Sequence, residues 1–281
     1  MKKIIKYFLS KLNLEIQRKK RNLDLSISSD SLKKINELHF LQNQLHEEYS
    51  LYFTLDDLTL DEIQKINNVK QYTMTGPLRM ISLIRAVEYI VKNNIPGAFV
   101  ECGVWKGGSM MLIAKTLIEL GELNRELYLY DTFEGMATPS SNDISFDNKI
   151  ASILLEKELS EKENGNNIWC YSNIEEVKNN LLSIGYNPNK IHFIKGKVED
   201  TIPNQIPHQI ALLRLDTDWY ESTIHELEYL YPILVNKGVM IIDDYGQWMG
   251  QKKAVDEYIL NNKLDIYLNR IDFSSRLAIK Y

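Results

Sequence analysis

The sequence predicts an α/β protein, a mostly parallel sheet with helices on both faces, and three observations lead to that reading. From residue 76 onward short apolar runs alternate with amphipathic stretches, the rhythm of right-handed strand–helix–strand crossovers. Glycine and acidic residues follow the apolar runs, so the carboxyl ends of the strands converge on one polar edge, where such sheets bind ligands. The chain has 281 residues, 44% of them hydrophobic and 25% charged. That is enough for one large domain with a sizeable core and an extension of roughly 70 to 80 residues.

Residues 1–75 read as a helical extension. In residues 1–21 eight lysines and arginines stand against a single Glu15, with Ile4, Ile5, Phe8, Leu9, Leu12 and Leu14 at helical spacing. A basic amphipathic helix of this kind docks on its own domain or a partner copy, or it lies on an anionic membrane face. A second helix is expected over 30–48, and a third opens at LDDLTLDEIQKI, where Thr59 and Glu62 fit a capping box. The main domain, 76–281, begins with a helix over 77–94 introduced by Pro77, and Pro96-Gly97 breaks the chain before the strand 98-AFVEC-102. A helix over 107–120, a strand over 126–131 and a polar insertion of 136–188 with at least two helical segments follow. Such an insertion has the length and place of a lid. Strands at 191–195, 209–216, 238–243, 264–269 and 276–281 bring the total to seven, with helices after the second and third of these.

Composition excludes several classes of function. A net charge of -5 offers no positive field for nucleic acid. Cys102 and Cys170 lack the spacing of a disulfide framework or a zinc site, so a reducing, cytoplasmic location is expected. No run of about 20 apolar residues exists, and the lysine-broken N-terminus does not read as a signal peptide or a spanning helix.

Three constellations carry chemistry. In 99-FVECGVWKGGSM-110, Gly103 turns the chain out of the strand, and Gly107 and Gly108 let a ligand approach the start of the next helix, whose free N–H groups favour a carboxylate. The spacing is not that of a dinucleotide fingerprint, and Glu101 suits a cationic amino group better than a pyrophosphate. Asp131 closes the next strand, where an acid accepts the hydroxyls of a ribose, with Phe133 beside the expected adenine face. In 215-LDTDWYEST-223 and 241-IIDDYGQW-248, Asp216, Asp218, Asp243 and Asp244 leave neighbouring strands. Crowded carboxylates raise one another's pKa until a hard divalent cation such as Mg²⁺ compensates them.

The segments 96–117, 129-LYDTFEGM-136, 214-RLDTDWYEST-223 and 237–258 resemble the macrocin O-methyltransferase family, the TylF-type sugar O-methyltransferases, over about two thirds of the chain. The resemblance implies a class I S-adenosylmethionine-dependent methyltransferase fold, magnesium-dependent transfer to a sugar hydroxyl, and a homo-oligomer. By position it implies Glu101, Gly103, Gly107 and Ser109 around the methionine part, and Asp131 at the ribose. It also implies 72-YTMT-75, with Thr73, Met74 and Thr75, closing over the cofactor, and Asp216, Asp243 and Asp244 as metal ligands.

A sugar hydroxyl is hardly ionised at neutral pH, so the expected chemistry is chelation of two adjacent hydroxyls and removal of a proton, with Asp216 as base. Catechol-type methyltransferases carry a lysine three positions after that aspartate. Trp219 stands there, which leaves Asp218 and His225 as the fallback bases, His225 reading rather as a packing residue. Two alternatives stay open at this point. One is a nucleotide-sugar glycosyltransferase using the D-x-D at 216–218, and the other is a non-catalytic cofactor-binding scaffold working through its N-terminal helix.

Overall fold

A computed structural model describes residues 58–163 and 167–281. The helices expected over 1–21 and 30–48 lie outside the described residues. From Asp61 to Tyr281 the chain forms one compact unit. It opens with α1 (Leu60–Val69), begun directly after Thr59, which buries Ile63, Ile66 and Val69 completely. Next comes α2 (Pro77–Lys92), where proline occupies the first turn, the one place in a helix that has no use for its missing N–H.

The sheet is built from β1 (Ala98–Cys102), β2 (Leu127–Asp131), β3 (Ile191–Lys195), β4 (Ile210–Leu215) and β5 (Leu234–Ile242), parallel to one another in the order β3-β2-β1-β4-β5. Every residue of β1 and β4 is buried, as expected of central strands covered on both faces. Two short strands, β6 (Asn269–Arg270) and β7 (Arg276–Ile279), complete the seven, with β7 antiparallel to β5 and to β6. The strand expected over 264–269 therefore shrinks to its last residue plus one. Leu264, Ile266 and Leu268 still pack on the core, so the alternation reported burial correctly, but the segment reaches only the outer edge of the sheet and pairs for two residues.

The crossover helices are α3 (Gly108–Glu119), α7 (Tyr220–Leu230) and α8 (Met249–Asn261). The insertion carries α4 (Ala151–Lys157) and α5 (Ile174–Ser183), and α6 (Val198–Thr201) follows β3. The strand order reverses between β1 and β4, the place where sheets of this kind bind ligands at the carboxyl ends of their strands. Among the described residues no helix is long and apolar enough to cross a membrane.

Candidate active site

The crevice at the strand reversal is a cavity of about 250 Å³ lined by residues from the ends of β1, β2, β4 and β5 and from the segment before α2. Gly103 forms its floor at φ 85°, and a Cβ there would stand 2.0 Å from the Asp216 carbonyl oxygen, so the two central loops touch only because this residue has no side chain. Gly107, in the left-handed conformation, precedes α3 without a side-chain cap, which leaves the first N–H groups of the helix available to an anion. Above that helix start, a Cβ on Gly108 would lie 2.5 Å from the Tyr72 carbonyl oxygen, so the 72–75 segment rests directly on the glycine turn.

Of the predicted cofactor residues, Thr73, Met74, Thr75, Gly103, Ser109 and Asp131 line the cavity, whereas Glu101, Gly107 and Phe133 do not. Asp131 uses both carboxylate oxygens on the loop itself. Oδ2 accepts from the N–H groups of Val104 at 2.7 Å and Trp105 at 3.1 Å, and Oδ1 accepts from the Phe133 N–H at 2.7 Å. Burial pushes its pKa up and these three N–H groups oppose the rise. Phe133 is turned into the core at 2% exposure, with φ 51°.

Glu101 is 1% exposed because it faces Arg214, its direct neighbour across the β1–β4 ladder. Arg214 Nη1 donates to Glu101 Oε1 and to Asp216 Oδ2, each at 2.6 Å. Its Nη2 donates to Thr75 Oγ1 at 3.0 Å and pairs with Asp243 Oδ1 at 2.8 Å. One buried guanidinium thus joins the 73–75 segment, the first strand and both acid loops. Burial pushes the Glu101 carboxyl up to about 7 against the pull of Arg214. A second guanidinium, Arg79 at the start of α2, donates to Asp243 Oδ2 at 2.6 Å and to Asp272 Oδ2 at 2.7 Å.

These contacts sort the four aspartates. Asp243, 3% exposed and held by two arginines, is the one acid of the group whose pKa falls, because Arg214 and Arg79 outweigh the effect of burial. Asp216, Asp218 and Asp244 each offer an oxygen within 4.8 Å of the other two. All three have pKa values pushed up, first by burial; Arg214 is the largest opposing influence on Asp216, Asp243 and Asp244 repel both Asp216 and Asp218, and Asp243 repels Asp244. The geometry therefore places Asp218 beside Asp216 and Asp244, and gives Asp243 to the arginines. An oxygen-only trio short of positive charge suits a hard divalent cation.

His225, the other fallback base, lies in α7 with Nε2 at 3.0 Å from the Ile202 carbonyl oxygen and its ring against Tyr229, and it does not line the cavity. Arg214 and Arg79 escaped the sequence reading, which grouped Asp218 with the other three aspartates but left it out of the ligand set implied by the resemblance. For Arg214 a signal existed: it is the single charge in the apolar run of β4 and stands two residues before Asp216, on the same face of the strand. Arg79 is one more arginine of an amphipathic helix, and nothing in its spacing marks it.

Comparison with known proteins gives concordant matches. The sequence profile of the family described as Macrocin-O-methyltransferase (TylF) matches residues 64–277. Over 187 residues the chain is 33% identical to demethyldecarbamoylnovobiocin O-methyltransferase of Streptomyces niveus, covering 66% of this chain and 67% of that protein. Over 174 residues it is 34% identical to 8-demethyl-8-(2,3-dimethoxy-alpha-L-rhamnosyl)-tetracenomycin-C 4'-O-methyltransferase of Streptomyces olivaceus, covering 62% of each. The solved structure of the O-methyltransferase NovP superposes with a TM-score of 0.64 and 26% identity, over 86% of this chain and 98% of that one. CalS11, a calicheamicin methyltransferase, shares the fold with a TM-score of 0.54 at 14% identity, over 91% of this chain and 94% of that one.

Proposed function

The chain belongs to the macrocin-O-methyltransferase (TylF) family and is an S-adenosylmethionine-dependent O-methyltransferase. From that premise we propose that it methylates a hydroxyl of a sugar or sugar-bearing acceptor, with a divalent cation held by Asp216, Asp218 and Asp244. The observation that carries this reading is the acid trio, opening into the same cavity as Gly103, Ser109 and Asp131.

The uncapped start of α3 and Ser109 receive the methionine carboxylate, and Asp131 fixes the loop that carries the ribose. The 73–75 segment covers the cofactor, tied down through Thr75 by Arg214. Asp216, Asp218 and Asp244 would hold a divalent cation, which would supply Lewis-acid activation of the acceptor hydroxyl. Asp216 takes the hydroxyl proton on Oδ1, since Oδ2 is engaged by Arg214. Asp243 compensates the arginines and keeps them aimed at both acid loops.

The relative of Streptomyces olivaceus, whose name carries a rhamnosyl group, supports the sugar acceptor. The glycosyltransferase alternative finds no support, because the family and the fold are those of methyltransferases. The test is incubation with S-adenosylmethionine, Mg²⁺ and a panel of free, nucleotide-linked and aglycone-linked sugars, with product mass read for a methyl gain. Asp216→Asn should remove nearly all turnover while S-adenosylhomocysteine affinity holds. Turnover that persists in this variant, or in EDTA, would sink the proposed roles.

A further inference from the structure

The insertion does not hang over the site from its two ends; its first half is stitched to both acid loops. The Trp219 Nε1–H donates to the Ala137 carbonyl at 2.9 Å, just after the Asp216–Asp218 loop. On the other side, Met249 N–H donates to the Ile144 carbonyl at 2.8 Å and Phe146 N–H to the Gln247 carbonyl at 2.9 Å, just after Asp243–Asp244. Trp219 and Trp248, one from each loop, meet edge to face at 4.9 Å and pack with Ala151 and Leu155 of the insertion.

One charged side chain sits at the centre of this seam. Asp143 is completely buried. Its Oδ1 accepts from the N–H of Tyr220, the first residue of α7, at 2.8 Å, and its Oδ2 accepts from the N–H and Oγ of Ser140 at 2.6 and 3.0 Å. The same carboxylate lies against the start of α8, where a Cβ on Gly250 would come within 1.9 Å of Oδ1. Asp143 thus caps the helix that follows one acid loop and touches the helix that follows the other. A negative charge at the start of α7 is also favoured by the helix dipole.

We propose that Asp143 is a positioning residue that sets the separation of the two acid loops and thereby the cation affinity of Asp216, Asp218 and Asp244. The inference rests on the metal reading above. Its physical basis is that carboxylates from different loops make one site only while those loops are held at a fixed distance. Gly250 belongs to the same device, because any side chain there would drive the carboxylate off Tyr220.

The test is Mn²⁺ binding followed by electron paramagnetic resonance in the full chain, with S-adenosylhomocysteine affinity measured alongside by calorimetry. Asp143→Ala should weaken Mn²⁺ binding by about 10-fold or more, the usual effect of losing an outer partner of a metal site. S-adenosylhomocysteine affinity should stay within about twofold, because the cofactor half of the cavity is built from other loops. Asp143→Asn, which keeps an acceptor for the Tyr220 N–H, should recover part of the loss, and Gly250→Ala should reproduce it. Equal losses of both ligands, which would mark general loosening of the fold, overturn the proposal, as does Mn²⁺ affinity in Asp143→Ala equal to that of the wild type. A wild-type protein that binds no Mn²⁺ at all fails the metal reading itself, and the proposal goes with it.

Discussion

Glu226 shows how far the electrostatics of the site reach into the core. It is completely buried in α7 and accepts from Thr217 Oγ1 at 2.9 Å, while its Oε2 has no hydrogen-bond partner among the described residues. Burial pushes its pKa well above the ordinary glutamate range, so the folded protein keeps it protonated where the unfolded chain would ionise it. For such a raised acid the stabilising contribution is complete below the unfolded pKa and is lost as pH rises toward the folded one. Glu226→Gln removes that linkage. The melting temperature of the variant relative to wild type should therefore climb between pH 5 and pH 8, and a difference independent of pH would show that Glu226 is ionised in the fold. Arg214 presents the opposite case at the same scale. It is a buried cation that four neighbours share, where removal would strand Glu101 without its charge partner and leave Asp243 to Arg79 alone.

At the level of elements, the start of α3 sets where the 72–75 segment can lie, and with it the cofactor cover proposed above. The helix begins against Tyr72 and Thr73, so Gly108→Ala must push the 72–75 segment outward or deform the turn. The expected result is a loss of about 1–3 kcal/mol in stability from overpacking, together with weaker S-adenosylhomocysteine binding, because Thr75 would part from Arg214. Calorimetry on the variant checks it, and unchanged affinity would mean that the segment closes without this contact. The elements themselves were largely legible in the sequence, because apolar runs bounded by glycine and proline leave few alternatives in a parallel sheet. The helix expected over 107–120 runs Gly108–Glu119, and the strand expected over 98–102 appears with those bounds. What stayed illegible was tertiary. The alternation at 264–269 could not show that no further strand would accept its hydrogen bonds, and the spacing of Asp143 from Tyr220, 77 residues apart, carries no local signature.

The whole domain holds more carboxylates at the carboxyl edge of its sheet than Arg79 and Arg214 neutralise, and it should behave as a protein waiting for a cation. A ligand that binds only the folded state adds about 2.7 kcal/mol of stability at 100 times its dissociation constant. Mg²⁺ should therefore raise the melting temperature of the wild type by several degrees and leave Asp216→Asn unmoved, as read by differential scanning fluorimetry. The same rise in both proteins would place the cation elsewhere. The conjunction of glycine turn, strand-end acid and paired aspartates marked this edge in the sequence. Which aspartate faces solvent and which faces arginine depended on Arg79 and Arg214, whose partners only the folded chain identifies.

Ser274 and Ser275, just before β7, are wholly buried and donate their hydroxyls to the carbonyl oxygens of Asp243 and Ile242. The acid-bearing turn after β5 is thus moored by a stretch of chain roughly thirty positions downstream. A reading-frame loss beyond position 270 would spare Asp216, Asp218, Asp243 and Asp244 but remove Asp272, one of the two carboxylates that hold Arg79. It would also strip the β7 edge from β5 and release the turn that carries Asp243 and Asp244 from both of its serine tethers.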